Sequence, residues 1–338
     1  AGTDDGIIQY TKNGGNTWTK TPVSNLPGVP STAFVNDIKT DLHNKETVYI
    51  ALDNHKFGDY KPYLFKSTNG GKTWIPITKG IQDNALVWRL VQDHVNPNLL
   101  FLGTEYGLYI SINQGENWLK FSQGLPTISV KDLAIQKREN DLVAATFGRG
   151  FYVLDDYSAL REINEASVSK AQLFKPRKAL QYEPIRGGTS SQGGSYFTAN
   201  NPDFGAIFTY YLPESFDSKK SKRQKNEKTL KKENKNIPFP GWDALDSEKN
   251  EQEATIIFII KDANGGFVDK INSAYKKGVN RTAWNLKKQI IASVDIDKIN
   301  KPSSINTFVE PGIYNVTMYE DIAGKVTQLG STQFFEVE

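Results

Sequence analysis

Apolar residues in the first half of the chain fall into short runs or near-strict alternation, and each run is bounded by polar turn residues. The clearest stretch reads as four strands in succession, A to D: Val87 to Val91, Leu99 to Gly103, Gly107 to Ile110 and Trp118 to Phe121, with Asn96-Pro97-Asn98 turning A into B. Run length and the share of β-branched and aromatic residues favour strands over helices. The preceding stretch repeats the plan with Phe34 to Lys39, a turn at His43-Asn44-Lys45, and Val48 to Leu52. The following stretch repeats it with Ile128 to Ile135 and Asp141 to Thr146, and a last C strand, Phe151 to Leu154, runs into Asp155-Asp156-Tyr157.

Between the C and D strands one turn pattern occurs three times: Thr11-Lys12-Asn13-Gly14-Gly15-Asn16-Thr17-Trp18, Ser67-Thr68-Asn69-Gly70-Gly71-Lys72-Thr73-Trp74 and Ser111-Ile112-Asn113-Gln114-Gly115-Glu116-Asn117-Trp118. The Asn side chain suits capping of turn N–H groups, and the Gly supplies a positive φ. The Trp opens the return strand and offers a large apolar surface to pack over the hairpin. The spacing between successive Trp residues matches a four-stranded propeller blade with variable loops.

These hairpins resemble Asp boxes, the BNR repeats of sialidases, some glucanases and the propellers of sortilin-like proteins. Asn stands where Asp is commoner, and Gln114 stands where the other copies have their first Gly; both keep the turn chemistry. The segment Thr146-Phe147-Gly148-Arg149-Gly150-Phe151-Tyr152-Val153-Leu154-Asp155-Asp156 is similar to the end-of-propeller segment of the bacterial sortilin-like group. Asn201 to Tyr211 and Val279-Asn280-Arg281-Thr282-Ala283-Trp284-Asn285-Leu286 are similar to that group's C-terminal region. The resemblance implies an all-β chain in which the C-terminal blades of a β-propeller, residues 1–160, precede an immunoglobulin-like β-sandwich of the FlgD type. Fewer than four blades close no ring, so further upstream blades, on the same protein or another chain, are expected partners.

After Ala159-Leu160-Arg161, prolines at 176 and 184 and a Gly/Ser-rich stretch, Gly187 to Ser195, mark a linker over 161–200. In the second domain, 201–338, strands are expected at Ala206 to Tyr211, Thr255 to Lys261, Arg281 to Leu286, Ile313 to Tyr319 and Thr332 to Val337. Asp262-Ala263-Asn264-Gly265-Gly266 signals a hairpin, and Trp284 and Tyr314 are expected to pack in the sandwich.

The net charge of +3 conceals a local imbalance, since Lys219 to Lys235 holds nine basic residues against Glu227 and Glu233. Stacking aromatics are absent from this run, which argues against nucleic-acid binding; a solvated insertion at about 215–253, partly helical or disordered, is expected instead. Cys is absent, so disulfides and Cys-ligated metals are excluded. Apolar runs are too short for a transmembrane helix. The resemblance implies an extracytoplasmic location: periplasmic, outer-membrane associated or secreted.

Candidate chemistry divides between the two ends of the strands. The box residues Asn13, Gly15, Trp18, Asn69, Gly71, Trp74, Asn113, Gly115 and Trp118 are expected to be scaffold, because isolated amides on separate blades lack the converging oxygens of a cation site. The B–C loops lie at the opposite end, where Asp5, His55, Asp59, Tyr60, Glu105, Tyr106 and Arg149 are the candidate binding residues, flanked by Asp4, Lys56 and Phe147. For Arg149 an ion pair with Asp155 or Asp156 is the favoured expectation. No metal or cofactor is expected, for the histidines, His43, His55 and His94, have no ligand spacing and no phosphate or dinucleotide loop occurs. The favoured function is non-catalytic recognition of a protein, peptide or glycan at the B–C face. The alternative is an Asp-box glycoside hydrolase whose reactive carboxylates lie largely in further blades.

Overall fold

The computed structural model describes residues 1–164, 167–183, 199, 201–288 and 307–338. Pro184 and the Gly187 to Ser195 stretch lie outside the described residues. The chain divides into two compact units, Ala1–Ile163 and Asn164–Glu338.

The first unit is a series of antiparallel meanders. β1 (Ile7–Tyr10) pairs with β2 (Thr19–Pro22); β3 (Phe34–Thr40), β4 (Val48–Asn54), β5 (Asp59–Ser67) and β6 (Ile75–Pro76) form a four-stranded sheet in chain order. The next sheet repeats this with β7 (Val87–Gln92), β8 (Leu100–Thr104), β9 (Gly107–Ser111) and β10 (Leu119–Phe121). The last has three strands, β11 (Val130–Gln136), β12 (Asp141–Thr146) and β13 (Phe151–Leu154). β8 and β9 are buried along their whole length, which accounts for their continuous apolar character. Successive sheets are glued face to face. Tyr49 and Leu64 of one sheet pack with Leu90, Leu100, Leu102 and Tyr109 of the next, and Phe101, Leu108 and Ile110 pack in turn with Val130, Leu133, Leu142 and Ala144.

In the three larger sheets the first strand carries a β-bulge at the same place, between Val35 and Asp37, Val87 and Arg89, and Val130 and Asp132. A bulge breaks the two-residue alternation and re-aims side chains. It sets Asn36, Trp88 and Lys131 at one level and Asp37, Arg89 and Asp132 at another.

The three box hairpins share one hydrogen-bond pattern. The Gly15, Gly71 and Gly115 N–H groups donate to the hydroxyls of Thr11, Ser67 and Ser111 at 2.9, 2.9 and 2.8 Å. Asn13, Asn69 and Asn113 accept from the N–H of Thr17, Thr73 and Asn117 at 2.9, 2.9 and 3.0 Å. Two of the turns are tied to the A–B turn of their own sheet: Gly70 N–H donates to the Glu46 carbonyl at 2.8 Å and Gln114 N–H to the Asn98 carbonyl at 3.0 Å. Each Trp ring lies against the Gly of its own turn, but their burial differs. Trp74 and Trp118 are buried at 8% and 2% exposure, while Trp18 is 50% exposed.

In the second unit, β14 (Gln172–Leu173), β15 (Ala206–Leu212), α1 (Lys219–Lys232), α2 (Trp242–Lys249), β16 (Thr255–Asp262), β17 (Phe267–Ala274), β18 (Gly278–Trp284), β19 (Gly312–Ile322) and β20 (Lys325–Val337) follow in order. The sheets β14-β15-β18 and β17-β16-β19-β20 enclose one core, in which Phe208 meets Phe258 at a tilt and Phe335 edge-on, with ring centroids 5.7 and 5.5 Å apart. Trp284 and Tyr314 are buried in it. β14 falls inside the stretch read as linker. The hairpin at Asp262 forms, its carboxylate accepting from the N–H groups of Asn264 and Gly266. The basic run is helical, and Arg223 is clamped between Glu227 and Glu248 at 2.6 and 2.7 Å.

Candidate ligand-binding face

A meander alternates its ends, so the β4–β5, β8–β9 and β12–β13 loops lie opposite the box hairpins. The bulges turn Trp88 and Lys131 toward these loops. The Lys131 ammonium sits 3.2 Å from the centroid of the Trp88 ring, a cation–π contact. Glu105, from the β8–β9 loop, joins them by accepting from the Trp88 indole N–H at 2.8 Å, the Ser129 hydroxyl at 3.0 Å and the Lys131 ammonium at 3.3 Å. Three donors on one carboxylate fix both the indole plane and the lysine.

The cluster extends to both sides. The His55 ring meets Trp88 edge-on at 6.3 Å and Phe34 at 6.3 Å, and Lys56 covers Phe34 at 4.8 Å. On the other flank Lys131 also lies 5.9 Å from the Phe147 ring, which is 73% exposed. Phe34, His55, Trp88 and Phe147 thus form a ladder of rings over three consecutive sheets, with Lys56 over Phe34 and Lys131 between Trp88 and Phe147. His55 is aimed by Asp53, a carboxylate only 1% exposed, whose oxygens lie 2.8 and 2.7 Å from its Nδ1.

Of the residues expected at this face, the ladder therefore gathers His55 and Glu105, with Lys56 and Phe147 from their flanks. Asp59 is held elsewhere: it accepts from Tyr63 at 2.6 Å and Asn54 at 3.2 Å. Burial works to raise the Asp59 carboxyl, but these hydrogen bonds outweigh it and hold the group below its ordinary value. Burial and the same contact push the Tyr63 hydroxyl up to about 12. Asp5 accepts from Thr3 within its own turn, and Tyr60 is 53% exposed on β5. Tyr106 packs against the core between sheets. Arg149 is exposed in the turn between β12 and β13. The turn around it, Gly148 to Gly150, closes through Thr146, whose hydroxyl donates to the Gly150 carbonyl.

Sequence reasoning passed over Phe34, Trp88 and Lys131. The signal was present as a break in alternation, Val35-Asn36-Asp37, Val87-Trp88-Arg89 and Val130-Lys131-Asp132, which marks a bulge at the head of each A strand. The level below is structural: Arg89 donates to Asp37 at 2.8 Å and to Asp132 at 2.7 Å, linking three first strands. Among the described residues no group of three or more His, Asp or Glu side chains is placed to hold a metal ion. No described helix is long and apolar enough to cross a membrane.

No protein-family model and no curated protein matches the chain. Among solved structures, an ancestral GH74 enzyme aligns at 14% identity over 87% of this chain and 31% of its own, with a TM-score of 0.29. The GH74 xyloglucanase from Xanthomonas campestris aligns at 11% identity over 87% of this chain and 38% of its own, with a TM-score of 0.31. An extracellular domain from B. thetaiotaomicron aligns at 8% identity over 99% of this chain and 36% of its own, also at 0.31. The chain spans about a third of the length of these structures. Likeness at such TM-scores carries no argument about fold or activity, and the functional reading rests on the residues.

Proposed function

We propose that the first unit is a non-catalytic recognition module, a set of Asp-box blades of a β-propeller followed by an immunoglobulin-like sandwich, on an exported bacterial protein. The observation that carries this reading is the ladder centred on Trp88, Lys131 and Glu105. Part-exposed rings, of which Trp88 and His55 are held by hydrogen bonds, offer flat apolar contact at low entropic cost, and the two lysines favour a ligand with acidic groups. A protein, peptide or glycan presenting carboxylates fits these demands. Glycosidic chemistry needs one carboxyl free as acid and another free as base or nucleophile across the scissile bond. At this face Glu105, Asp53 and Asp59 are each engaged by fixed donors, which supports binding over turnover. The Asn side chains of the boxes are engaged within their own turns, which supports a scaffold role for them.

The test is a screen of the full chain against acidic glycan and peptide arrays, followed by titration of any hit. Trp88→Ala and Lys131→Ala are each expected to weaken binding at least about tenfold, the loss of roughly 1.4 kcal/mol of contact. Binding unaffected by both changes rejects the face. Turnover of a glycan that Glu105→Gln abolishes replaces recognition by hydrolysis.

A further inference from the structure

In the second unit the basic run and the segment after it form a helical hairpin. The start of α1 is pinned to the end of α2: the Lys219 N–H donates to Glu251 at 2.7 Å, the Lys219 ammonium to Ser247 at 2.6 Å, and the Arg223 guanidinium to the two oxygens of Glu248 at 2.7 and 2.9 Å. The two helices therefore run antiparallel, and the connection between them lies at the end away from these bonds. Phe216, just before α1, meets Tyr275, directly after β17, edge-on at 6.4 Å, which fastens the base of the hairpin to the sheets. The 14 residues of α1, at about 1.5 Å each, carry the connection about 20 Å from that base.

That far end is apolar. Ile237, Phe239 and Trp242 are exposed within six residues of one another, Trp242 by 75%, and the Phe239 and Trp242 rings meet edge-on at 5.2 Å. Pro238 and Pro240 fix φ and lack N–H donors, which keeps the segment out of helix until Trp242 and holds its apolar side chains outward. Lysines border the tip. Lys225, Lys228 and Lys232 follow at the three- and four-residue spacing of one helix face, with Lys231 beside them, and all four are exposed. The carboxylates along α1 are engaged by other cations, Asp217 by Lys225, Glu227 by Arg223 and Glu233 by Lys235, which leaves Lys228, Lys231 and Lys232 without an ion pair among the described residues. The remaining carboxylate at this end, Asp243, sits in the first turn of α2, where it complements the helix dipole.

We propose that the hairpin tip docks the protein on a lipid bilayer bearing anionic headgroups, with Ile237, Phe239 and Trp242 entering the boundary between headgroups and acyl chains and Lys228, Lys231 and Lys232 meeting the lipid phosphates. A convex apolar tip suits a bilayer, which closes around it, whereas a protein partner has to offer a complementary pocket for each ring. Tryptophan settles at headgroup level because its ring is apolar and its indole N–H polar, and lysine stems lie along the boundary while their ammonium groups stay wet. Rings or lysines alone bind weakly; together they supply the two signals that stable attachment takes. The unpaired lysines select an anionic surface over a neutral one. The ring ladder of the first unit plays no part in this docking, so either reading can fail without the other.

Flotation of the full chain with phosphatidylcholine vesicles containing about 25% phosphatidylglycerol tests it. The chain is expected to float with them, to bind more weakly as salt rises, and to bind pure phosphatidylcholine at least about tenfold more weakly. Hydrogen exchange in residues 237–243 should slow on the vesicles, a readout that needs no protein variant. Phe239→Ala combined with Trp242→Ala, and separately Lys228→Gln combined with Lys231→Gln and Lys232→Gln, should each lower the partition coefficient at least about tenfold while far-UV circular dichroism stays unchanged. No flotation at about 1 mM anionic lipid, equal binding to neutral vesicles, unchanged exchange at the tip, or partitioning unaffected by either set of substitutions each overturns the proposal. Polyglutamate that binds more tightly than the vesicles, and equally well without the two rings, gives the lysines to an acidic protein and overturns it as well.

Discussion

Gly115 has φ +88°, and a Cβ there would stand 2.8 Å from Ile77 Cδ1. Both the left-handed backbone and the contact oppose any side chain, so Gly115→Ala should destabilise the first unit by about 1–3 kcal/mol. Urea unfolding followed by tryptophan fluorescence measures the change, and a shift below a few tenths of a kcal/mol would contradict it. Such turns were legible in the sequence because their partners lie within four residues, Thr11 with Gly15 and Asn13 with Thr17. Gln114 shows the limit of the pattern: it takes φ +57° without being glycine, and its side chain instead bonds Lys66 and Asn98 of other elements. Trp88 and Lys131 were illegible for the same reason reversed, because the contact that makes them a site joins separate sheets.

Arg89 shows what one strand does for its neighbours. Its guanidinium spans Asp37 of β3 and Asp132 of β11, whose carboxylates are 5% and 59% exposed. Burial alone would lower the Arg89 value, but the two carboxylates outweigh it and hold it raised. Removing the arginine leaves the buried Asp37 with only the more distant Lys39 ammonium, at 3.7 Å, as a counter-charge, while the exposed Asp132 loses little. Arg89→Ala is therefore expected to cost about 1–3 kcal/mol, read as a lowered melting temperature of the first unit, with Asp132→Ala costing under about 1 kcal/mol. Strand positions were largely legible, since β12 and β13 coincide with the runs expected there. The bulges leave only a break in alternation in the sequence, and what that break does is fixed by the pairing with the next strand.

At the scale of the first unit, the chain beyond β13 is locked back onto the meander. Asp93, fully buried, accepts from the Tyr157 hydroxyl at 2.7 Å and from Arg161 at 2.9 and 2.8 Å. Burial acts to raise the Asp93 carboxyl, but Arg161, the Asn96 N–H and Tyr157 outweigh it and hold it below its ordinary value. A depressed carboxylate gives stability that is present above its unfolded value of about 3.9 and is lost as pH falls through the folded value. Asp93→Asn should thus be less stable at neutral pH, and its stability should fall less steeply below about pH 4. Unfolding curves between pH 7 and 3 decide this, and parallel pH profiles for the two proteins would refute the lock. By itself the sequence determined the turns, the strands and their alternation, because those depend on φ, on side-chain reach over a few residues and on the two-residue period. Only the tertiary structure decided which loops meet and which tryptophan is covered. Trp18 and Trp118 end the same local pattern, yet one is 50% and the other 2% exposed, because burial is set by residues a whole repeat away.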